Sequence, residues 1–182
     1  KSAFLYINLI MALFFVLPAI QAKEKVFTVV IDAGHGGKDP GARGSSINEK
    51  VINLAVALKL GSLISEKHND VKVIYTRKTD VFIELDERAN IANRNKADLF
   101  ISIHTNAVKR GSTVSGTETY TLGLARTDEN LEVAMRENSA ILLEDNYLQK
   151  YEGFDPTSSE SYIIFEFMQN KHMEQSISLA SE

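Results

Sequence analysis

Two histidines and a glutamate stand out first: His35 in a glycine-rich stretch, Glu49 a short way on, and His104 at the end of an alternating apolar run. Two imidazoles and one carboxylate form a set that binds zinc through three protein donors and leaves a fourth position for water. Zinc in such a site lowers the pKa of its water to about 7 and polarises a carbonyl, which is the chemistry of hydrolysis. The glycines around His35 (Gly34, Gly36, Gly37, Gly41 and Gly44) let the backbone turn tightly and approach a ligand closely. Each of the three also has a bland reading. A histidine at a strand end is commonly a satisfied structural residue, and the helix dipole favours an acidic residue near a helix start without any metal. Spacing alone leaves both readings open. The other two of the four histidines, His68 and His172, fall at a helix end and on a polar helical stretch, where they read as solvated.

The elements that must hold these residues follow from periodicity. Val26 to Asp32 is rich in bulky β-formers and runs into the glycine loop Ala33 to Gly44, which predicts a buried strand and a turn. From Asn48 to about Lys67, Val51, Leu54, Ala55 and Leu58 recur at helical spacing. Val71 to Thr76 reads as a second strand, and Leu85 to Lys96 as a second helix with Leu85, Ala89 and Ala92 on one face. In Asp98 to His104, Leu99, Ile101 and Ile103 alternate with Phe100, Ser102 and His104, a third strand with His104 at its carboxyl end. Thr117 to Leu122 reads as a fourth strand, Thr127 to Gln149 as helix, Gly153 to Ser159 as loop, Tyr162 to Met168 as an apolar patch, and the rest as helix to Glu182. Strand alternating with helix predicts an α/β fold, a three-layer-like sandwich with a central, largely parallel twisted sheet flanked by helices. Open sheets of this kind bind ligands at the carboxyl ends of their strands, where His35 and His104 fall.

Residues 1–22 read as a secretory signal, with Lys1 as positive start, an apolar stretch from Leu9 to Leu17, and small residues Ala19 and Ala22 at the exit. The apolar stretch is shorter than the ~20 residues of a bilayer span, so membrane contact is expected only through this sequence before cleavage. The domain at 23–182 is then secreted, and the absence of cysteine fits a bacterial periplasm, of Gram-negative type, better than a disulfide scaffold. A net charge of −4, with no long basic run, lacks the footprint of a nucleic-acid binder. No Met stands at position 1 and the chain stops inside a helical pattern, so it is expected to continue at both ends.

The runs Val30-Ile-Asp-Ala-Gly-His-Gly-Gly-Lys-Asp-Pro-Gly-Ala, Asn48-Glu-Lys-Val-Ile-Asn-Leu-Ala, Thr76-Arg, Arg88-Ala-Asn-Ile-Ala-Asn and Ala97-Asp-Leu-Phe-Ile-Ser-Ile-His-Thr-Asn-Ala closely resemble the zinc-dependent N-acetylmuramoyl-L-alanine amidases of bacterial cell-wall turnover. The resemblance implies hydrolysis of the amide between N-acetylmuramic acid and the stem L-alanine of peptidoglycan. It puts the zinc ligands at His35, Glu49 and His104. Asp32 and Asn106 then read either as residues that orient the ligands from behind or as structural loop residues. Arg88 and Asn93 match the resemblance too, but an arginine on that helix reads as a surface or packing residue.

One part of the pattern is missing. Such amidases carry a further glutamate on a late strand, before a Gly-Phe-x-Ser-Asn-like run, as general acid/base. Glu152 has the letters but loop texture, and Glu166 has apolar neighbours but no following glycine. The acid/base glutamate is therefore expected beyond Glu182, with Glu166 the weaker in-chain candidate. Residues 126–170 stand where some relatives insert a helix that covers the zinc until a protein activator displaces it. Glu137, Glu144 or Glu160 would then compete for the open metal position, or the segment is a solvated helix at the groove rim. Two other readings of the chain compete with the amidase. One is a catalytically impaired cell-wall binding or regulatory module of the same fold, and the other a zinc peptidase cutting within the stem peptide.

Overall fold

The computed structural model describes residues 26–107, 113–121, 128–159, 161–162 and 172–182. Three parallel strands form its centre: β1 (Phe27–Ala33), β2 (Val71–Tyr75) and β3 (Leu99–Ile103), in the order β2-β1-β3. β1 is buried from Thr28 to Ala33. A central parallel strand is covered on both faces, which is why its sequence is a continuous apolar run and not an alternation. Val29 pairs with Val73 on one side and Leu99 on the other, and Ile31 with Tyr75 and Ile101.

Helices cover the two faces. α1 (Glu49–Lys67) packs on the face built by Val29, Ile31 and Ala33, with Leu54, Leu60 and Ile64 against Val71, Val73, Tyr75, Leu99, Ile101 and Ile103. α2 (Leu85–Arg94) lies on the other, where Arg88 reaches Asp32. The chain leaves β1 over one face to β2 and returns over the other to β3. The connections thus part company at β1, which makes the carboxyl ends of β1 and β3 the switch point at which open sheets of this kind bind ligands.

The face of α1 differs from the sequence expectation. Its buried stripe is Glu49, Asn53, Ala57 and Gly61, while Val51 is 45 % exposed and Ala55 also faces solvent. The stripe repeats every four residues, but it carries two polar residues at the site end and two small ones at the other. A Cβ at Gly61 would lie 1.9 Å from the Tyr75 hydroxyl, so the helix approaches β2 only because that position is glycine. α2 departs in the same way: Ala89 is exposed, and Arg88 is buried.

Beyond β3, residues 117–121 carry no strand, which corrects the expected strand at Thr117 to Leu122; Leu122 itself lies outside the described residues. The long helix expected from Thr127 to Gln149 is three pieces: α3 (Asp128–Asn138), a 3-10 turn (Ser139–Leu143) and α4 (Tyr147–Lys150). Asn146 sits at φ +59°, a left-handed position that asparagine tolerates and a continuing helix does not. Ala140 and Ile141 are buried in the intervening turn. α5 (Met173–Ala180) supplies the expected terminal helix. The signal at residues 1–22 and the apolar patch from Ile163 to Met168 lie outside the described residues. Among the described residues no helix is long and apolar enough to cross a membrane.

The segment from α3 to α4 docks on the start of α2. Glu84, at the N-cap of α2, makes no side-chain cap of its own. Instead the buried Glu144 carboxylate accepts the Leu85 N–H at 2.7 Å, and the Tyr151 hydroxyl accepts the Asp86 N–H at 3.1 Å and donates to Glu144. Two of the orphan N–H groups of that helix end are thus satisfied from a distant segment. The Lys150 ammonium pairs with Glu84, and lies 3.7 Å from Asp86 and 3.9 Å from Glu144.

Candidate metal centre

Each candidate ligand is delivered by the end of an element. His35 stands two residues past β1, Glu49 is the first residue of α1, and His104 follows the last residue of β3. The three meet. Glu49 Oε2 is 3.3 Å from His35 Nε2, and Glu49 Oε1 is 3.4 Å from His104 Nδ1. The two rings stand edge to face, 4.8 Å between centroids.

Two backbone features allow this. His35 adopts φ +61° and Gly36 φ +129°, a turn that throws the imidazole back across the strand end. Gly34 lies under the His104 ring, and a Cβ there would fall 2.4 Å from its Nε2 and Cε1, so the rings meet only over bare backbone.

A fourth group joins them from α3. Glu137 Oε2 is 2.8 Å from His104 Nδ1 and 3.2 Å from His35 Nε2. The donor atoms of His35, Glu49, His104 and Glu137 all lie within 4.8 Å of one another. Of the three acidic residues named for the 126–170 segment, Glu137 is the one at the metal cluster; Glu144 caps α2, and Glu160 lies outside the described residues. His35 Nε2 and Glu137 Oε2 are buried, close to opposite charge, and yet make no aligned hydrogen bond. Donor atoms that converge without bonding one another are what a shared cation requires, and the set of two imidazoles with carboxylate suits zinc.

The electrostatics follow from this crowding. Burial works against charge on all four side chains, and the opposed charges overrule it. Despite burial, the carboxylates of Asp39, Glu137 and Glu49 raise His35 to about 11, and those of Glu137 and Glu49 raise His104 to about 9. Glu137 is lowered to about 2 by the two imidazoles. Glu49 is held well below the ordinary carboxylate range by His104 and His35 and by the amides of Ala42 and Thr105, against the pull of burial. The carboxylates want positive charge in the cluster, and a divalent cation competes with the imidazole protons to supply it.

The supporting residues differ from those expected. Asp39 accepts from His35 Nδ1 at 2.7 Å, which fixes the tautomer that turns Nε2 toward the cluster. Sequence reasoning passed over it, although its place four residues after a loop histidine was visible. Asn53 donates to Glu49 at 3.2 Å, and the Thr105 and Ala42 amides do so at 2.7 and 2.9 Å. Asp32 touches no ligand: it accepts from Thr76, Arg88 and Ser102, tying the three strands and α2 together below the site. Asn106 also touches none, its Oδ1 accepting from Arg136 of α3. Of the two readings of Arg88, surface or packing, the structure supports packing: it is buried and hydrogen-bonded to the carbonyls of Ala33 and His35. Glu152 is exposed in the turn after α4, and Glu166 lies outside the described residues.

The second acidic group, Glu84, Asp86 and Glu144, already holds the Lys150 ammonium and is a docking clasp.

Residues 29–182 match a family model described as N-acetylmuramoyl-L-alanine amidase. The endolysin of Bacillus phage SPP1 is 49 % identical over 92 residues, which is 50 % of this chain and 32 % of that protein. N-acetylmuramoyl-L-alanine amidase AmiC of Escherichia coli O6:H1 is 42 % identical over 91 residues, 50 % of this chain and 22 % of that one. The chain thus spans about a third or less of the length of these curated relatives. A crystal structure of an N-acetylmuramoyl-L-alanine amidase from Clostridium difficile 630 superposes with TM-score 0.51 at 32 % identity, covering 84 % of this chain and 91 % of that one.

Proposed function

Because the chain belongs to the N-acetylmuramoyl-L-alanine amidase family, we propose that it hydrolyses the amide between N-acetylmuramic acid and L-alanine in peptidoglycan, with zinc held by His35, Glu49 and His104. The observation that carries this is the convergence of those three side chains at the carboxyl ends of β1 and β3, with the buried His35 Nε2 unbonded. Zinc bound there supplies Lewis acidity toward the scissile carbonyl and a water that loses its proton near neutral pH. The chain's own residues do the rest. Asp39 keeps the His35 proton on Nδ1 and so leaves Nε2 as a donor. Glu49 is fixed by Asn53, Ala42 and Thr105, so its charge stays where the cation sits. Proton transfer to the leaving amine is assigned to a glutamate outside the described residues, Glu166 or one beyond Glu182.

Glu137 supports a covered form of the enzyme. Its carboxylate lies directly against both imidazole donors, the place a water or a substrate carbonyl needs. In this reading the segment around α3 inhibits the site until a protein activator lifts it, and the impaired or regulatory module is the same chain with Glu137 in place. The site of action is the peptidoglycan outside the cytoplasmic membrane, reached by the secretory signal at 1–22, with the Gram-negative periplasm as the narrower form of the proposal.

The test is product analysis. The chain with zinc, and its Glu137→Gln variant, are incubated with purified peptidoglycan and the released peptides are sequenced. Stem peptides with a free L-alanine amino terminus are expected, more abundantly from the variant. Peptides cut inside the stem would make it a peptidase, and a variant with less product than the parent would make Glu137 the acid/base and not the cover.

A further inference from the structure

The backbone that carries His35 has an unusual set of partners. Five consecutive carbonyls, from Ala33 to Gly37, are all hydrogen-bonded, and four of them are held by cationic side chains. Ala33 O accepts from Arg77 Nε at 2.8 Å and Arg88 Nη1 at 3.0 Å. Gly34 O accepts from Arg77 Nη2 at 2.9 Å, His35 O from Arg88 Nη2 at 3.1 Å, and Gly37 O from Lys50 Nζ at 2.9 Å. Gly36 O accepts the Asp39 N–H.

Arg77 and Arg88 are buried residues, 3 % and 6 % exposed. Two buried positive charges side by side repel, and burial together with the Arg88 charge pulls Arg77 below its ordinary value. A core held by ordinary ion pairs would set each against a carboxylate. Arg88 has one such partner, Asp32. The four hydrogen bonds of Arg77 all end on carbonyls, those of Ala33, Gly34, Lys50 and Thr79. A planar fork spans adjacent carbonyls in a way that a lysine ammonium cannot. Between them the two forks span the carbonyls of Ala33, Gly34 and His35, and His35 is the non-glycine residue of the cluster at positive φ.

We infer that Arg77 and Arg88 are positioning residues for the metal centre: their guanidiniums clamp the carbonyls of Ala33, Gly34 and His35, and so hold His35 in the left-handed turn that aims Nε2 at Glu49 and His104. This rests on His35 being a metal ligand. Asp39 fixes which nitrogen of the ring is free, and the arginines fix where it points. Gly36 has no room for a side chain either, since a Cβ there would fall 2.2 Å from the Val81 carbonyl and 2.9 Å from Arg77 Nε.

The experiment compares Arg77→Lys and Arg88→Lys with Thr76→Val and Ser102→Ala, which break bonds to Asp32 in the same core without touching the carbonyls. Zinc affinity is measured by competition with a chromophoric chelator, the melting temperature in excess chelator without zinc, and the ligand geometry from the d–d absorption of the cobalt-substituted protein. The expected result is a loss of zinc affinity of about 10- to 100-fold and a changed cobalt spectrum in both arginine variants, with a drop in melting temperature no larger than in the two controls. Zinc affinity unchanged, or falling only in step with melting temperature on the line set by the controls, overturns the inference. Should both arginine variants fail to fold, Lys50→Met decides. It removes one bond from the outer end of the same carbonyl run, and weakened zinc binding at unchanged melting temperature supports the clamp, whereas unchanged binding overturns it. The parent and His35→Ala serve as reference: equal zinc in both would refute the ligand set itself, and that result is distinct from a failed clamp.

Discussion

The metal centre is approached from two sides that are built differently. On the strand side, His35, Glu49 and the carbonyls around them are held by the buried Arg77, Arg88 and Asn53 and by the half-buried amides of Ala42 and Thr105. On the α3 side, Glu137 is brought in by a segment whose polar contacts are mostly at the surface, Arg136 to Asn106 and Lys150 to Glu84, with Glu144 as its buried anchor. Exposed ion pairs contribute little and exchange readily with water, whereas unmade bonds in a buried network are costly. Under the function proposed above, the strand side is a preorganised ligand frame and the α3 side a cover that can leave without disturbing it.

The largest effects should come from the frame. His35→Ala or His104→Ala removes a donor outright, and zinc retained after dialysis should fall from one per chain to trace, as read by elemental analysis. Next is Asp39→Asn, which takes the acceptor from His35 Nδ1. Loss of such a supporting partner typically weakens metal binding about 10- to 100-fold, and chelator competition measures it. Undiminished affinity in Asp39→Asn would move the tautomer control elsewhere.

How much of this was legible in the sequence depends on the same division. The three strands were read to within a residue or so because a parallel core imposes continuous or alternating apolar runs, and the meeting of His35, Glu49 and His104 was foreseeable because element ends and a family resemblance both pointed there, while their role as ligands is the proposal made above. The inner face of α1 was misread. Periodicity searches for apolar residues, whereas that face holds Glu49, Asn53, Ala57 and Gly61. Arg88 was left between surface and packing for the converse reason: an arginine on an amphipathic helix looks solvent-facing until a buried carbonyl run is there to receive it. The break of the 127–149 helix depends on Ile141 and Ala140 turning inward and on Glu144 finding α2, contacts no local window contains.

Removing the cover should act in the opposite direction to removing the frame. Glu137→Gln should raise peptidoglycan hydrolysis, by roughly tenfold for every ~1.4 kcal/mol by which the carboxylate favours the covered arrangement, with zinc content unchanged. A fall in both would merge the two sides of the site into one and abolish the distinction. Glu144→Ala should act more gently and at a distance. It leaves the Leu85 N–H without its cap, a loss of about 1 kcal/mol on the scale of helix caps. Hydrogen exchange should show faster exchange at Leu85 and Asp86 together with easier proteolysis between residues 138 and 151, while the amides of β1 stay protected.

The smallest effect separates anchoring from mere proximity. Arg136 holds Asn106 at 2.7 Å and pairs with Glu137 at 3.3 Å, and its side chain is 45 % exposed. An exposed contact of this kind is worth about 0.2–1 kcal/mol, so Arg136→Ala should raise basal hydrolysis by no more than about fivefold and lose even that in high salt, where the screening length falls to about 3 Å at 1 M. If Arg136→Ala instead matched Glu137→Gln in size and kept its effect in salt, α3 would be fastened through Asn106, and the weak side of the metal centre would be as firmly built as the strand side.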